Sequence, residues 1–172
     1  MKISFIPFNE SHLAILRQWL NKDHVKPHWQ EPEGADALKE KFLKTMPARS
    51  VHSFVFTEGG EPVGYIQYYE ACKVGGGWWP DERPGVFGID LMIGDSARIG
   101  QGLSTVIILE FLKFVQGREK VREFIIDPDA TNQRAIRAFE KAGFLREKEL
   151  TTPNGQALLM RRLADIAVAG EL

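Results

Sequence analysis

Two glycines at alternate positions, in Arg98-Ile99-Gly100-Gln101-Gly102-Leu103-Ser104-Thr105, stand between an apolar strand-like run and a strongly apolar helix. Glycine lets a backbone approach a ligand closely and turn its N–H groups toward it. A helix opening at about Leu103 adds the positive end of its dipole. The chemistry this suits is the holding of an anion, a phosphate above all. Glycines also cap helices and shape turns, so the loop takes its meaning from its company. Asp90 interrupts the apolar run Val86 to Ile93, where an unpaired carboxylate is costly; it calls for a cationic partner such as Arg83, for backbone donors, or for a function. Asp127 ends a second apolar run just before Pro128, and an Asp-Pro step at a strand end reads by itself as a turn or helix entry.

Other residue types that carry chemistry offer less. His24 and His28 are four apart, but Pro27 interrupts any helix that would align them and no third ligand follows at metal spacing, so no metal site is expected. Cys72 is the only cysteine. It excludes an internal disulfide and reads as a small half-buried filler near a strand end. A net charge of −1, with no basic run, gives no attraction to nucleic acid or to an acidic membrane surface. No apolar run approaches the length of a membrane span, and Met1-Lys2-Ile3-Ser4-Phe5 has no secretory apolar region, so a cytoplasmic protein is expected. At 172 residues and 44% hydrophobic the chain supports one sizeable core, hence a single domain over residues 1–172.

The elements that must position these residues follow from periodicity. Ile3 to Pro7 alternates like a strand, and Asn9 is placed to cap a helix with the apolar stripe Leu13, Leu16, Trp19 and Leu20. Ala35 to Met46 reads as a helix burying Leu38, Phe42 and Leu43. Val51 to Thr57 and Pro62 to Tyr69 form a hairpin across Glu58-Gly59-Gly60-Glu61. Ala71 to Gly85 is a long glycine-rich loop with two tryptophans, a length that in a compact domain signals function. Then come a strand at Val86 to Ile93, a helix at Leu103 to Val115, a strand at Glu123 to Asp127 and a helix at Thr131 to Ala142 ended by Gly143. Phe144 to Leu150 and Gln156 to Arg162 close as a hairpin, and Ala164 to Leu172 reads as a frayed tail. This mixture predicts an α/β (α+β) fold, a mostly antiparallel sheet with helices on both faces.

The glycine loop, together with Asp127-Pro128-Asp129-Ala130-Thr131-Asn132-Gln133-Arg134-Ala135-Ile136-Arg137-Ala138-Phe139-Glu140-Lys141-Ala142-Gly143-Phe144, resembles the acetyl-CoA-binding core of the GCN5-related N-acetyltransferases. Asn9 to Gln30, Glu61 to Tyr69, Gly76-Gly77-Trp78-Trp79, Pro84 to Asp90 and Thr151-Thr152-Pro153-Asn154-Gly155 are similar, in the same order, to segments of the aminoglycoside 6′-N-acetyltransferases. The resemblance implies a sheet whose two central parallel strands, Val86 to Ile93 and Glu123 to Asp127, splay apart to admit acetyl-CoA. It implies cofactor contacts from the backbones of Leu91, Met92 and Ile93, from the loop Arg98, Ile99, Gly100, Gln101, Gly102, Leu103, Ser104 and Thr105, and from Asn132 and Phe139. It further implies that Asp90 acts as the base, directly or through a water, that Asp127 holds an amine of the acceptor, and that Trp29, Gln67, Tyr69, Trp78 and Trp79 line or border the acceptor site. No covalent residue and no metal are needed, and the partner is a small cationic molecule met by a monomer or weak homodimer.

The chain departs from the family pattern at four positions. Ile99 and Ser104 replace usual loop residues, which backbone contacts tolerate. Phe139 stands where a tyrosine proposed to protonate the leaving thiolate is usual, and Gly76 stands where some relatives carry an acid. An acetyltransferase for another small amine, such as a siderophore hydroxylysine or a polyamine, and a non-catalytic acyl-CoA-binding domain are the competing expectations, the second resting mainly on Phe139.

Overall fold

The computed structural model describes residues 1–75, 79 and 82–166. Seven strands form a single sheet in the order β1-β2-β3-β4-β5-β7-β6. Their spans are β1 Ile3–Pro7, β2 His52–Glu58, β3 Glu61–Glu70, β4 Val86–Ile93, β5 Glu123–Ile126, β6 Leu145–Thr152 and β7 Gly155–Leu163. Every neighbouring pair is antiparallel except β4 and β5, which run parallel. The expected α+β fold, mostly antiparallel around one parallel pair, is therefore present.

Strand alternation gives the sheet two buried faces. Phe54, Phe56, Ile66, Tyr68, Phe87 and Ile89 pack on one side with α4 (Leu103–Gln116) and α5 (Gln133–Lys141). Val55, Tyr65, Tyr69 and Met92 pack on the other with α1 (Leu13–Leu20) and α2 (Ala35–Glu40). Helix α4 buries Leu103, Ile107, Ile108, Phe111, Leu112 and Val115, as its nearly continuous apolar surface requires.

Differences from the sequence expectation have local causes. Asn9 caps a 3-10 turn, Glu10–His12, that leads into α1, rather than α1 itself; its side chain accepts from the Ser11 N–H at 2.9 Å. The expected helix Ala35 to Met46 continues past α2 as a π-helical turn, Lys41–Thr45, and a short α3, Met46–Ala48. The widened turn keeps residues four apart in line, so Leu38, Phe42 and Met46 are buried and Leu43 is not. Cys72 is exposed, not half-buried. The tail is tied down at its start, where Ala164 N–H donates to the Arg122 carbonyl at 2.9 Å.

Close approach, not turn geometry, explains Gly64 on β3. A Cβ there would stand 2.1 Å from the Met92 carbonyl oxygen and 2.4 Å from the Phe56 ring. Gly64→Ala is therefore expected to destabilise the fold by about 1–3 kcal/mol through overpacking, read as a lower urea midpoint at unchanged m. An unchanged midpoint would mean that β3 and β4 do not meet so closely.

Candidate active site

Strands β4 and β5 pair only through Val86 with Glu123, Phe87 with Phe124 and Gly88 with Ile125. Beyond that point each follows its antiparallel neighbour. β4 stays with β3 as far as Ile93, while β5 stays with β7, and the Leu158 N–H continues that pairing onto the Pro128 carbonyl at 2.9 Å. Pro128 has no N–H to offer β4 in return. The backbone of Leu91, Met92 and Ile93 is left without a strand partner on this side. A cavity of about 430 Å³ opens there, walled by these three residues, by Ile99 and Ser104 of the glycine loop, and by Asn132 and Phe139.

The loop end of this cavity is built to hold an anion. Gly100 and Gly102 adopt φ of 81° and 74°, and a Cβ on either would meet nothing within 4 Å, so backbone conformation alone demands glycine. Gly102 is the N-cap of α4 and supplies no side-chain cap. The first N–H groups of the helix, those of Leu103, Ser104 and Thr105, have no intrahelical acceptor. Helix α5 contrasts with it, because Asn132 Oδ1 accepts from the Ala135 N–H at 3.2 Å. Leu103 is buried and anchors the helix start, and the Gln101 amide folds back onto the Ala97 carbonyl at 2.7 Å. This donor set fits the pyrophosphate of a coenzyme A. Arg98, expected to lend its charge to the loop, is instead taken up by Glu58 and by Asp95, the latter at 3.7 Å. Among the described residues the arginine on the cavity wall is Arg134, missed in the sequence although it lies in the first turn of α5, two residues after Asn132.

A second cavity, of about 290 Å³, is walled by Trp29, Gln67, Tyr69, Asp90 and Asp127. The two-residue period of a strand places Asp90 on one side with Gly88 and Met92, and Asp127 on that same side with Ile125. Asp90 lies directly opposite Gln67, whose Nε2 donates to Asp90 Oδ2 at 2.8 Å. The Tyr65 hydroxyl donates to Gln67 Oε1 at 2.6 Å and is hydrogen-bonded to Ser53 Oγ at 2.7 Å, which fixes the amide. Burial pushes Asp90 up to about 6, against the pull of the Gln67 hydrogen bond. Burial, and then the charge of Asp90, push Asp127 well above the usual carboxylate range.

The expected cationic partner of Asp90 is absent. Arg83 pairs with Glu123 at 2.9 Å, and among the described residues neither Asp90 nor Asp127 joins an ion pair. A neutral amide satisfies one oxygen of Asp90 in its place. Glu31, which sequence reasoning missed, joins the same wall; it holds Lys41 at 2.5 Å and accepts from Trp29 Nε1 at 2.9 Å. Trp79 stands behind Tyr69 and donates its indole N–H to the Tyr69 hydroxyl at 3.3 Å. Trp78 and Gly76 lie outside the described residues. The far end of the Trp-bearing loop is anchored by Arg161, which binds Glu82 at 2.7 Å, Glu123 at 2.8 Å and Glu147 at 2.8 Å.

The two cavities adjoin, sharing His28 and Trp29 in their walls. The first cavity presents the uncapped start of α4 and the second two buried carboxylates, Asp90 and Asp127. Residues 9–152 match the model of the acetyltransferase (GNAT) domain. The chain is 38% identical over 156 residues to the aminoglycoside N(6′)-acetyltransferase type 1 of Klebsiella pneumoniae, covering 88% of this chain and 78% of that one. The crystal structure of the aminoglycoside acetyltransferase AAC(6′)-Ib with coenzyme A and kanamycin superposes with a TM-score of 0.87 at 35% identity, covering 94% of this chain and 95% of that one. The same protein with paromomycin and acetyl-CoA superposes at 0.88 with 34% identity, over 95% and 94% of the two chains. Sequence, fold and the paired cavities agree: the chain belongs to the GNAT acetyltransferases, among the aminoglycoside 6′-N-acetyltransferases.

Proposed function

We propose that this protein transfers the acetyl group of acetyl-CoA to the 6′-amine of aminoglycoside antibiotics and thereby confers resistance to them. The observation that carries this reading is the pair of carboxylates, Asp90 and Asp127, without an ion-pair partner among the described residues, on one face of the parted strands, beside an uncapped helix start. A multiply cationic sugar supplies the charge that these carboxylates lack. Kanamycin is bound in a solved relative.

When bound, acetyl-CoA supplies a thioester acetyl already activated for attack. The chain supplies the rest. The amides of Gly100 to Thr105 hold the pyrophosphate, with Arg134 beside them. The backbone of Leu91 to Ile93, without a strand partner on the β5 side, offers N–H groups to the carbonyl oxygen as charge develops on it. Asp90 takes a proton from the acceptor ammonium and so exposes the attacking lone pair; Asp127 holds another amine of the acceptor. Phe139 packs edge-on against Phe144 at 5.5 Å and contributes apolar wall but no proton. Gly76 and Trp78 are not assigned a contact.

Free thiol released from acetyl-CoA should appear with kanamycin, but not with an aminoglycoside bearing a hydroxyl in place of the 6′-amine. Turnover with polyamines alone would replace the acceptor class. Asp127→Asn keeps the shape and removes a charge, so KM for kanamycin should rise more than KM for acetyl-CoA, and added salt should shrink the difference. Loss of acetyl-CoA affinity alone would place Asp127 on the other side of the site.

Asp90 links activity and stability to pH with opposite signs. Its acidic form is inactive as a base, so kcat/KM should rise with pH through about 6. The folded-state value lies above the unfolded one, so the stabilising protonated form is lost as pH rises through about 6. Asp90→Asn should therefore raise the melting temperature of the unliganded protein at pH 8, by on the order of 1–3 kcal/mol of stability. The gain should vanish as pH falls toward 4. A variant less stable than the wild type at pH 8 would show that the charge is compensated.

A further inference from the structure

We propose that His28 is the proton carrier of the acetyl transfer, taking the proton shed by the attacking amine and delivering it to the departing sulfur. This rests on the acetyltransferase reading above. His28 and Trp29 are the residues common to both cavity walls. Trp29 has a single indole N–H and gives it to Glu31 Oε1 at 2.9 Å. Of the two, only the imidazole can both accept and give a proton.

The imidazole is oriented for this. His28 Nδ1 stands 3.5 Å from Asp129 Oδ2. The other carboxylate oxygen, Oδ1, accepts from the Thr131 N–H at 2.8 Å and from Thr131 Oγ1 at 2.6 Å. These Thr131 hydrogen bonds, with a smaller contribution from His28, hold the Asp129 carboxyl below its usual range. Asp129 thus places a fixed carboxylate beside Nδ1, so Nε2 is the ring nitrogen left for exchange with a ligand, as where a carboxylate orients a catalytic histidine. On the other side, the His28 and Trp29 N–H groups both donate to the Val25 carbonyl at 3.0 Å, so the segment that carries the ring is pinned just after Pro27.

The proton balance needs no outside reactant. Asp90 first deprotonates the ammonium. The amine lone pair then forms the N–C bond to the acetyl carbon, and the C–S electron pair leaves with the sulfur. The extra proton on nitrogen passes to His28 Nε2 and from there to the sulfur, so His28 ends as it began, and Asp90 returns its proton to solvent as the products leave. Among the described residues, the wall of the larger cavity has no carboxylic acid, tyrosine or cysteine, so its other imidazole, His24, is the competitor for this task. His24 is committed elsewhere, with its Nε2 at 2.9 Å from the Ile93 carbonyl, and it lines the larger cavity alone.

Histidine side-chain NMR tests the placement without turnover, with His28→Gln and His24→Gln identifying the signals. Coenzyme A alone and kanamycin alone should each move the His28 signals, whereas His24 should respond to coenzyme A only. In kinetics His28→Gln should lower kcat on the order of 10²-fold, with both KM values little changed and the melting temperature retained. Free imidazole should restore turnover to His28→Ala, which the partial exposure of the ring allows, while sodium chloride of equal ionic strength should not. Calorimetry on the wild type checks that both ligands bind. If both bind and the His28 signals stay still, or if kcat is unchanged in His28→Gln, or if imidazole fails to rescue His28→Ala, the proton-carrier role is overturned. If neither ligand binds, the acetyltransferase reading falls and takes this role with it.

Discussion

The structure depends on one failure of pairing. Two parallel strands share a short register and then separate, because each is more strongly committed to its antiparallel neighbour. Antiparallel hydrogen bonds are better aligned than parallel ones, and β4 and β5 each have an antiparallel neighbour while sharing only a few parallel pairs. Pro128 removes a donor just where the pairing would have to continue. The resulting gap costs the chain unpaired backbone groups. Those groups are the ones that a thioester carbonyl and its pantetheine can use.

The same gap decides the electrostatics. Side chains that strand alternation would otherwise bury between helices and sheet are brought to a shared wall, so the charge of Asp90 adds to burial in disfavouring that of Asp127. Glu31 adds a third acid, already matched by Lys41. A protein selected for stability alone would neutralise such a wall. Here the imbalance is retained, which is how local frustration at a site and a well-packed remainder coexist in one chain. The core around it is ordinary in this sense: Ile107, Phe111 and Phe124 are fully buried and carry no chemistry.

Most of the fold was legible because it rests on local signals. Strand alternation, the apolar surface of Leu103 to Val115, the Gly-Gly hairpin and the glycine loop all announce themselves within a few residues. The π-helical turn at Lys41–Thr45 did not, since it is set by packing against the sheet and no residue type marks it. The site was legible where chemistry coincides with position in a strand, as for Asp90 and Asp127. It was illegible where partners are distant in sequence: Arg83 chose Glu123, Arg98 chose Glu58, and His28 met Asp129 across a hundred residues that no spacing rule connects. His28 was discounted for lacking a metal-ligand neighbour, a test that cannot detect a histidine whose partner is a carboxylate on another element.

One asymmetry between the cavities has a consequence for how such a protein changes over generations. On the proposed assignment the donor side relies on main-chain groups, whose geometry survives most substitutions, as Ile99 and Ser104 illustrate by lining that cavity without conforming to the family pattern. The acceptor side is made of individual side chains, each exchangeable by a single codon change. A population exposed to a new antibiotic can therefore explore acceptor walls one residue at a time while inheriting an intact supply of acetyl groups. Spectrum drifts; the donor half is the heirloom.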